Sequence, residues 1–452
     1  MYRISFIFIL ISILFSCKKS EPEIFPIDSN EYVNQWILDS LKRYYYWSES
    51  MPKVNNIDQE PKLYFNSLLH ERDKFSYIIN SKDPNSFPKS YRSMFGFDYS
   101  TVTDTHSGIT FGLVKYVYKD SPAAQAGLKR GSIIHEINDI PINPNNAKTL
   151  LELLIIHPTV NLTIAKLEDD KLIDIGKISL IKGPILDQQI LTKTFEVGGK
   201  KVGYIFLYDF LPGTTQAIVN AISDFKFNAI NDLIIDLRYN PGGQVSEAAG
   251  LAGLIADIKP TEKFISYKGN KNAITIDETI SESAESDGLI DYVSINAISL
   301  KLKKVYILCG NSTASASEIL INNLKPFIDV VCIGEATRGK DMASFSISDL
   351  RKEKLIFWEI HPIIYKIYNA KDEGDYSNGL VPNIKINELN ELPLKELGSM
   401  EDLLLNNAIK EITGYTTKTN ILKNDNSTYN WRILTNTHEN RMDNGSLIIR
   451  KR

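Results

Sequence analysis

"NDLIIDLRYNPGG" (residues 231–243) decides the fold. From Leu233 to Leu237 the segment is almost continuously apolar, with no in–out alternation. That is the pattern of a strand buried on both faces of a parallel sheet. It stops at Asn240, Pro241 and a glycine pair, Gly242 and Gly243, where the backbone can turn sharply. Working outward, strand-like and helix-like segments alternate. "KVGYIFLYDF" (201–210) reads as a strand and "TTQAIVNAISDF" as a helix. "QVSEAAGLAGLI" is a second helix, "KVYILC" (304–309) a second buried strand, "SEILINNLK" a third helix and "DVVCIGE" (329–335) a further strand. This alternation predicts an α/β fold for residues 190–410, with parallel strands joined by right-handed crossovers.

In open α/β sheets, ligands and reacting groups gather outside the carboxyl ends of the strands. Three loops leave such ends: "YNPGGQ", "GNSTASAS" and "ATRGKDMAS". If their strands are parallel, the loops share one edge of the sheet. The first can expose a backbone N–H. The second opens a helix, whose free N–H groups and positive dipole end favour developing negative charge. The third carries Lys340. Together they offer a nucleophile, a base and oxyanion donors. There is no G-x-S-x-G elbow. Of the six histidines, only His361 and His438 lie in or beyond this region. His361 sits in the apolar run "FWEIHPIIY" and reads as structural. Lys340 is therefore the better base, provided burial or positive potential favours its neutral form.

The remaining regions differ in character. Residues 31–85 read as a small helical region, with Trp36, Ile37, Leu41, Tyr44 and Tyr45 at helical spacing and a second helix after Pro61. Residues 90–182 contain "SPAAQAGLKRGSIIHEINDIPI", which resembles a PDZ domain of the circularly ordered bacterial type. "MFGFDY" (94–99) resembles its carboxylate-binding loop, and this likeness implies peptide C-terminus binding at Phe95, Gly96 and Phe97. A tight turn of N–H groups suits a terminal carboxylate, and a free sheet edge suits an added strand. His106, His135 and His157 read as structural or surface residues. The polar, Asn/Thr-rich tail, residues 411–452, suggests no role.

The amino terminus, "MYRISFIFILISILFSC", has a basic start and an apolar core too short for a comfortable membrane span, the pattern of an export signal. "LFSC" resembles the lipobox of bacterial lipoproteins. That likeness implies a signal peptide over residues 1–16, lipidation of Cys17, a tether over 17–30 and a lipid-anchored protein of the bacterial cell envelope.

The serine and lysine loops carry a more specific resemblance. "STASASEIL" followed by "GEATRGK" is similar to the C-terminal-processing, or tail-specific, serine protease family. So are "DLRYNPGG", the family's oxyanion loop, and "YSNGLVPNIKI" (376–386), its terminal sheet element. The likeness spans roughly residues 90–410 and implies a crotonase-related protease core with a Ser–Lys dyad and no cofactor. It makes Ser315 the nucleophile and Lys340, 25 residues later, the base. The N–H of Ala316 and that of Gly242 or Gly243 become the oxyanion donors. The family often has glutamine four residues beyond the lysine; here Ser344 stands there, so its dyad-orienting role is open.

Each motif also has a plainer reading. Ser315-x-x-Glu318 is a capping box. Ser312, Thr313 and Ser317 suit turns and caps. Arg238, Glu335 and Arg338 suit ion pairs or the surface, and Asp236 suits a structural role. Cys309 and Cys332 read as buried free thiols; a disulfide between them is open. Neither has a partner at metal-ligand spacing, so no metal site is expected. A net charge of −4 and the lack of a basic stripe argue against nucleic acid as a partner. Three functions follow: a serine endopeptidase acting on polypeptide C-termini, a catalytically inactive PDZ-bearing lipoprotein that binds them, or a small-molecule carrier on the crotonase-like scaffold. Oligomeric state is not legible.

Overall fold

The computed structural model describes residues 25–83, 86, 95–183, 185, 190–414 and 430–437. The export signal and Cys17 lie outside them. The amino-terminal region forms α1 (Asn30–Tyr44) and α2 (Pro61–Leu68). Ser29 Oγ caps α1 by accepting the Tyr32 N–H, and Pro61 opens α2 where a missing N–H costs nothing. The region then ends in a strand, β1 (Tyr77–Asn80), which a purely helical reading misses.

The PDZ-like unit follows. It contains β2 (Phe97–Asp104), β3 (Thr110–Val117), α3 (Pro122–Gln125), β4 (Ile133–Ile137), β5 (Ile140–Pro141), α4 (Ala147–Ile156), β6 (Thr159–Glu168) and β7 (Lys171–Ile181). Gly127 and Gly131 both sit at φ +84°, where the sequence predicts the helix stop and the turn. Leu150, Leu151 and Leu154 of α4 pack with Phe95, Phe97 and Tyr99 in one core.

The α/β unit runs through β8 (Ile190–Val197), β9 (Lys200–Leu207), α5 (Thr214–Phe227), β10 (Asp232–Asp236), α6 (Val245–Ile255), β11 (Lys263–Lys268) and β12 (Ile276–Thr279). It continues with α7 (Ile280–Ala284), α8 (Tyr292–Ala297), β13 (Lys304–Cys309), α9 (Ala316–Leu324), β14 (Asp329–Gly334), β15 (Met342–Ser344), β16 (Trp358–His361) and β17 (Ile363–Asn369). β18 (Ile384–Lys385) and α10 (Leu403–Thr413) complete it. The main sheet has the order β18-β14-β13-β10-β9-β8. All its pairings are parallel except β8 with β9. Leu233 and Ile235 of β10 point into the core shared with α5, α6 and α9. Ile234 between them joins the core under α10. Burial on both faces accounts for the missing alternation in the sequence. A second sheet, β12-β11-β17-β15, is antiparallel, and β1 pairs with β16. His361 stacks on Tyr77, 4.3 Å between centroids, consistent with a structural histidine. Cys309 and Cys332 are buried free thiols.

The tail holds a further strand, β19 (Trp431–Asn436), which the sequence did not announce. It joins the PDZ-like sheet beside β2.

A buried charge network ties the PDZ-like unit to the core. Arg238 is bidentate to Asp236 (2.8–2.9 Å) and to Asp402 (2.7–2.9 Å). Arg130 donates to the carbonyls of Lys395 (2.6 Å) and Lys115 (2.8 Å), and to Tyr239, Glu388 and Asp402. Asp402 also caps α10. Burial alone would raise its pKa; Arg238 and Arg130 hold it below the usual carboxylate value. Asp402→Ala leaves two buried guanidinium groups short of a partner. It is expected to cost about 3–5 kcal/mol, read as a fall in the urea midpoint of the core transition.

Candidate active site

The carboxyl ends of β9, β10, β13 and β14 lie at one edge of the sheet, so the three predicted loops do converge. Direct bonds sew them together. Asn240, in the loop after β10, is the clamp. Its amide donates to Leu207 O (3.0 Å), and its carbonyl accepts the Ala314 N–H (3.1 Å) and the Ser317 hydroxyl (3.1 Å). Thr313 Oγ1 donates to Leu237 O (2.8 Å), and the Arg338 N–H donates to Thr313 O (2.9 Å). Thr313 is thus the turn group the sequence suggests, its hydroxyl also accepting the Gly310 N–H (2.9 Å), whereas Ser317 ties α9 to the glycine loop. Asn240 was overlooked; its place directly before the Pro-Gly-Gly turn was the available signal.

Gly242, at φ +101°, presses its backbone on the serine loop. A Cβ there would lie 2.7 Å from Ser315 Cβ and 2.8 Å from the Ala316 nitrogen. Its own N–H is engaged by Asn240 Oδ1 at 2.8 Å. The Gly243 N–H has no acceptor among the described residues. In the short bridge to Phe210, the bonds use Gly242 O and the Gln244 N–H instead. The Ala316 N–H, at the first position of α9, also has no acceptor among the described residues.

Ser315 is buried and sits at φ +57°, ψ −117°. A non-glycine residue there stores about 1–3 kcal/mol of backbone strain, which persists only where surrounding contacts hold it. Much of that holding comes from Glu318, one turn into α9. Glu318 Oε2 accepts the N–H of Ser315 (2.9 Å) and that of Lys340 (2.8 Å). Oε1 accepts the N–H of Gly339 (2.6 Å) and the hydroxyl of Thr337 (2.5 Å). One carboxylate oxygen therefore carries the backbones of both sequence-predicted dyad residues. The capping-box reading covered only the Ser315 part of this. In the reverse direction, Ser315 Oγ lies toward the Glu318 N–H without a hydrogen bond of normal geometry.

Lys340 is buried, with Nζ 5.4 Å from the centre of the Phe75 ring, supplied by the amino-terminal region. No hydrogen bond joins Ser315 Oγ to Lys340 Nζ among the described residues, so Oγ rests over its own helix. Ser344 is buried in β15 and paired with Ile363; no bond links its hydroxyl to Lys340. Phe95, Gly96 and Phe97 stand apart from this edge, at the start of β2. Gly96 packs so closely on Ser121 that a Cβ would lie 2.0 Å from the Ser121 Cβ.

Comparison with known proteins fits this architecture. Residues 201–386 match the family model "Peptidase family S41", residues 32–77 "Peptidase S41 N-terminal domain" and residues 113–166 "PDZ domain". The chain belongs to peptidase family S41. This S41 chain is 25% identical over 314 residues to the carboxy-terminal processing protease CtpA of Bacillus subtilis. The match covers 69% of the chain and 60% of that protein. A Bacteroides fragilis crystal structure assigned to the S41 proteases superposes with a TM-score of 0.67 at 24% identity, covering 88% of this chain and all of that one. The photosystem II D1 C-terminal processing protease gives 0.50 at 15% identity, covering 79% and 93%. At these identities the structural likenesses speak for the fold.

Burial pushes the Glu318 carboxyl up to about 7, against the four hydrogen bonds that pull it down. A raised carboxyl pKa favours the protonated folded state. Its contribution is complete below the unfolded value of 4.5 and fades as pH rises through about 7. The stability difference between wild type and Glu318→Gln should therefore shrink in the wild type's disfavour from pH 4.5 to 7.5. Parallel denaturant titrations of both proteins measure this, and a constant difference would count against the raised value.

Proposed function

We propose that this S41 chain is a serine endopeptidase of exported proteins, working through a Ser315–Lys340 dyad. The observation that carries the reading is the shared Glu318 oxygen, which fixes the Ser315 and Lys340 amides side by side on two different loops. Rotation of the Ser315 side chain from the helix toward Lys340 starts the reaction. The neutral Lys340 amine takes the hydroxyl proton as Oγ bonds to the scissile carbonyl carbon. The N–H groups of Ala316 and Gly243 receive the oxyanion. Gly242 instead shapes the wall, because Asn240 already holds its N–H. The C–N bond then breaks, and the Lys340 ammonium returns its proton to the leaving amine. Water, giving its proton to Lys340, next attacks the acyl carbon; the ester C–Oγ bond breaks, and the Lys340 ammonium returns the proton to Ser315 Oγ as the acid product leaves. The buried setting of Lys340 supplies the desolvation a lysine base needs. No cofactor enters any step.

The PDZ-like unit selects substrates by their C-termini at Phe95–Phe97. Lipid on Cys17 holds the enzyme at the membrane of the bacterial envelope.

With an unstructured protein as substrate, Ser315→Ala and Lys340→Ala should each lower kcat about 10⁴-fold or more. EDTA should leave the wild type unaffected. Equal cleavage by all three proteins would remove the dyad. No cleavage by any, with peptide binding retained, would favour the PDZ-bearing binding lipoprotein, a reading that Ser344 in place of glutamine motivates. Cys17→Ser should move the protein from the membrane fraction to the soluble fraction on cell fractionation.

A further inference from the structure

The strand formed by the tail lies where a PDZ-like domain would take a foreign peptide. β2 begins at the Phe95–Phe97 turn, and its other neighbour in the sheet is β3, so without β19 it would be an open edge. β19 fills that edge antiparallel, with Trp431 opposite Asp104 and Asn436 opposite Ser100. It also packs against α4, the helix that walls the same groove. Its direction carries the tail toward the Phe95–Phe97 turn, the polarity a C-terminus bound there requires. The last described residue of this segment continues the ladder. The Thr437 N–H donates to Tyr99 O (3.1 Å), and Thr437 Oγ1 accepts the Tyr99 N–H (3.2 Å). Trp431 sets its ring edge-on to Phe111, 5.1 Å between centroids. The segment also reaches the serine loop. Asn436 Nδ2 donates to Ser312 Oγ at 3.3 Å, and Ile433 and Asn436 line a cavity of about 250 Å³ together with Gly310, Asn311 and Ser312.

We propose that residues 431–437 are a resident ligand of the peptide groove, bound in cis, and that an incoming polypeptide C-terminus gains the groove by displacing them. Main-chain pairing gives such a site its affinity for any extended segment, and covalent attachment makes the tail's own binding intramolecular. The apparent dissociation constant of a second peptide rises by the inverse of the fraction of chains whose groove is open. A groove about 99% occupied by its own tail would weaken binding in trans about 100-fold. Displacement also removes Asn436 from the serine loop, so groove occupancy and the approach to Ser315 change together. Only that last consequence rests on the peptidase reading.

The probe is a fluorescent peptide, NWRILTNT (residues 430–437), with a free carboxylate, titrated by anisotropy into the full chain carrying Ser315→Ala. The same chain with Trp431→Ala and Thr437→Val, which loosens the resident segment at both ends, should bind it at least 10-fold more tightly. Equal affinities, or no saturable binding to either, would overturn the proposal. A second measurement needs no change in the tail. In the unmodified chain, excess unlabelled peptide should speed hydrogen exchange at the 431–437 amides while β2 stays protected; unchanged exchange there would overturn it. Cleavage of an unstructured protein is followed in parallel. Binding as expected without any cleavage would fail the peptidase reading and leave the resident ligand in place.

Discussion

A single buried carboxylate organises the edge of the sheet where the serine and lysine loops meet. Glu318 has almost no contact with water, and each of its oxygens takes two donors. Those donors come from three places: the residue at the head of α9, a threonine, and the two residues that carry the lysine loop past its glycine. An amide in place of the acid would turn one of its ends into a donor facing donors. The strained backbone of Ser315, the turn at Gly339 and the position of Lys340 all depend on this one group remaining an acceptor on both sides.

The rest of the edge is built in the same manner, by polar groups that bind two loops at once. Asn240 joins the glycine turn to β9 and to the serine loop. Thr337 accepts the Leu380 N–H at 2.7 Å while donating to Glu318, and so connects the lysine loop to the segment leading to β18. Arg238 and Asp402 extend the pattern across the bottom of the loop, and Arg130 extends it into the PDZ-like unit. None of these groups has to touch a substrate. They fix the positions of groups that do, in a region where an unmet hydrogen bond costs about 1–3 kcal/mol.

Much of this was legible in the sequence, for identifiable reasons. The buried parallel strands announced themselves through unbroken apolar runs, and the three loops had to converge once those strands were parallel. Ser315 and Lys340 stood out by their spacing within motifs that resemble a family's. Glu318 was seen, but only as a local cap, because its bonds to Thr337, Gly339 and Lys340 span some twenty residues and leave no periodic trace. That the Gly242 N–H is already engaged depends on an asparagine side chain, which no pattern of glycines could reveal. β1 and β19 escaped notice because short strands acquire their identity from partners. β1 meets β16, and β19 meets β2, each across hundreds of residues of chain, whereas helices such as α1 declare themselves within one window.

The place of Phe75 bears on when Lys340 becomes enclosed. The ring that covers Lys340 Nζ sits two residues before β1, and β1 is held by β16, with Tyr77 opposite His361. A segment made early thus covers Lys340 only after β16, about 280 residues later, has been made and paired. Contacts of such sequence separation form late. A chain in which β16 has yet to pair carries the serine and the lysine but lacks the cover over the lysine. Completion of the fold therefore sets when Lys340 is withdrawn from water, the desolvation on which the proposed dyad would depend.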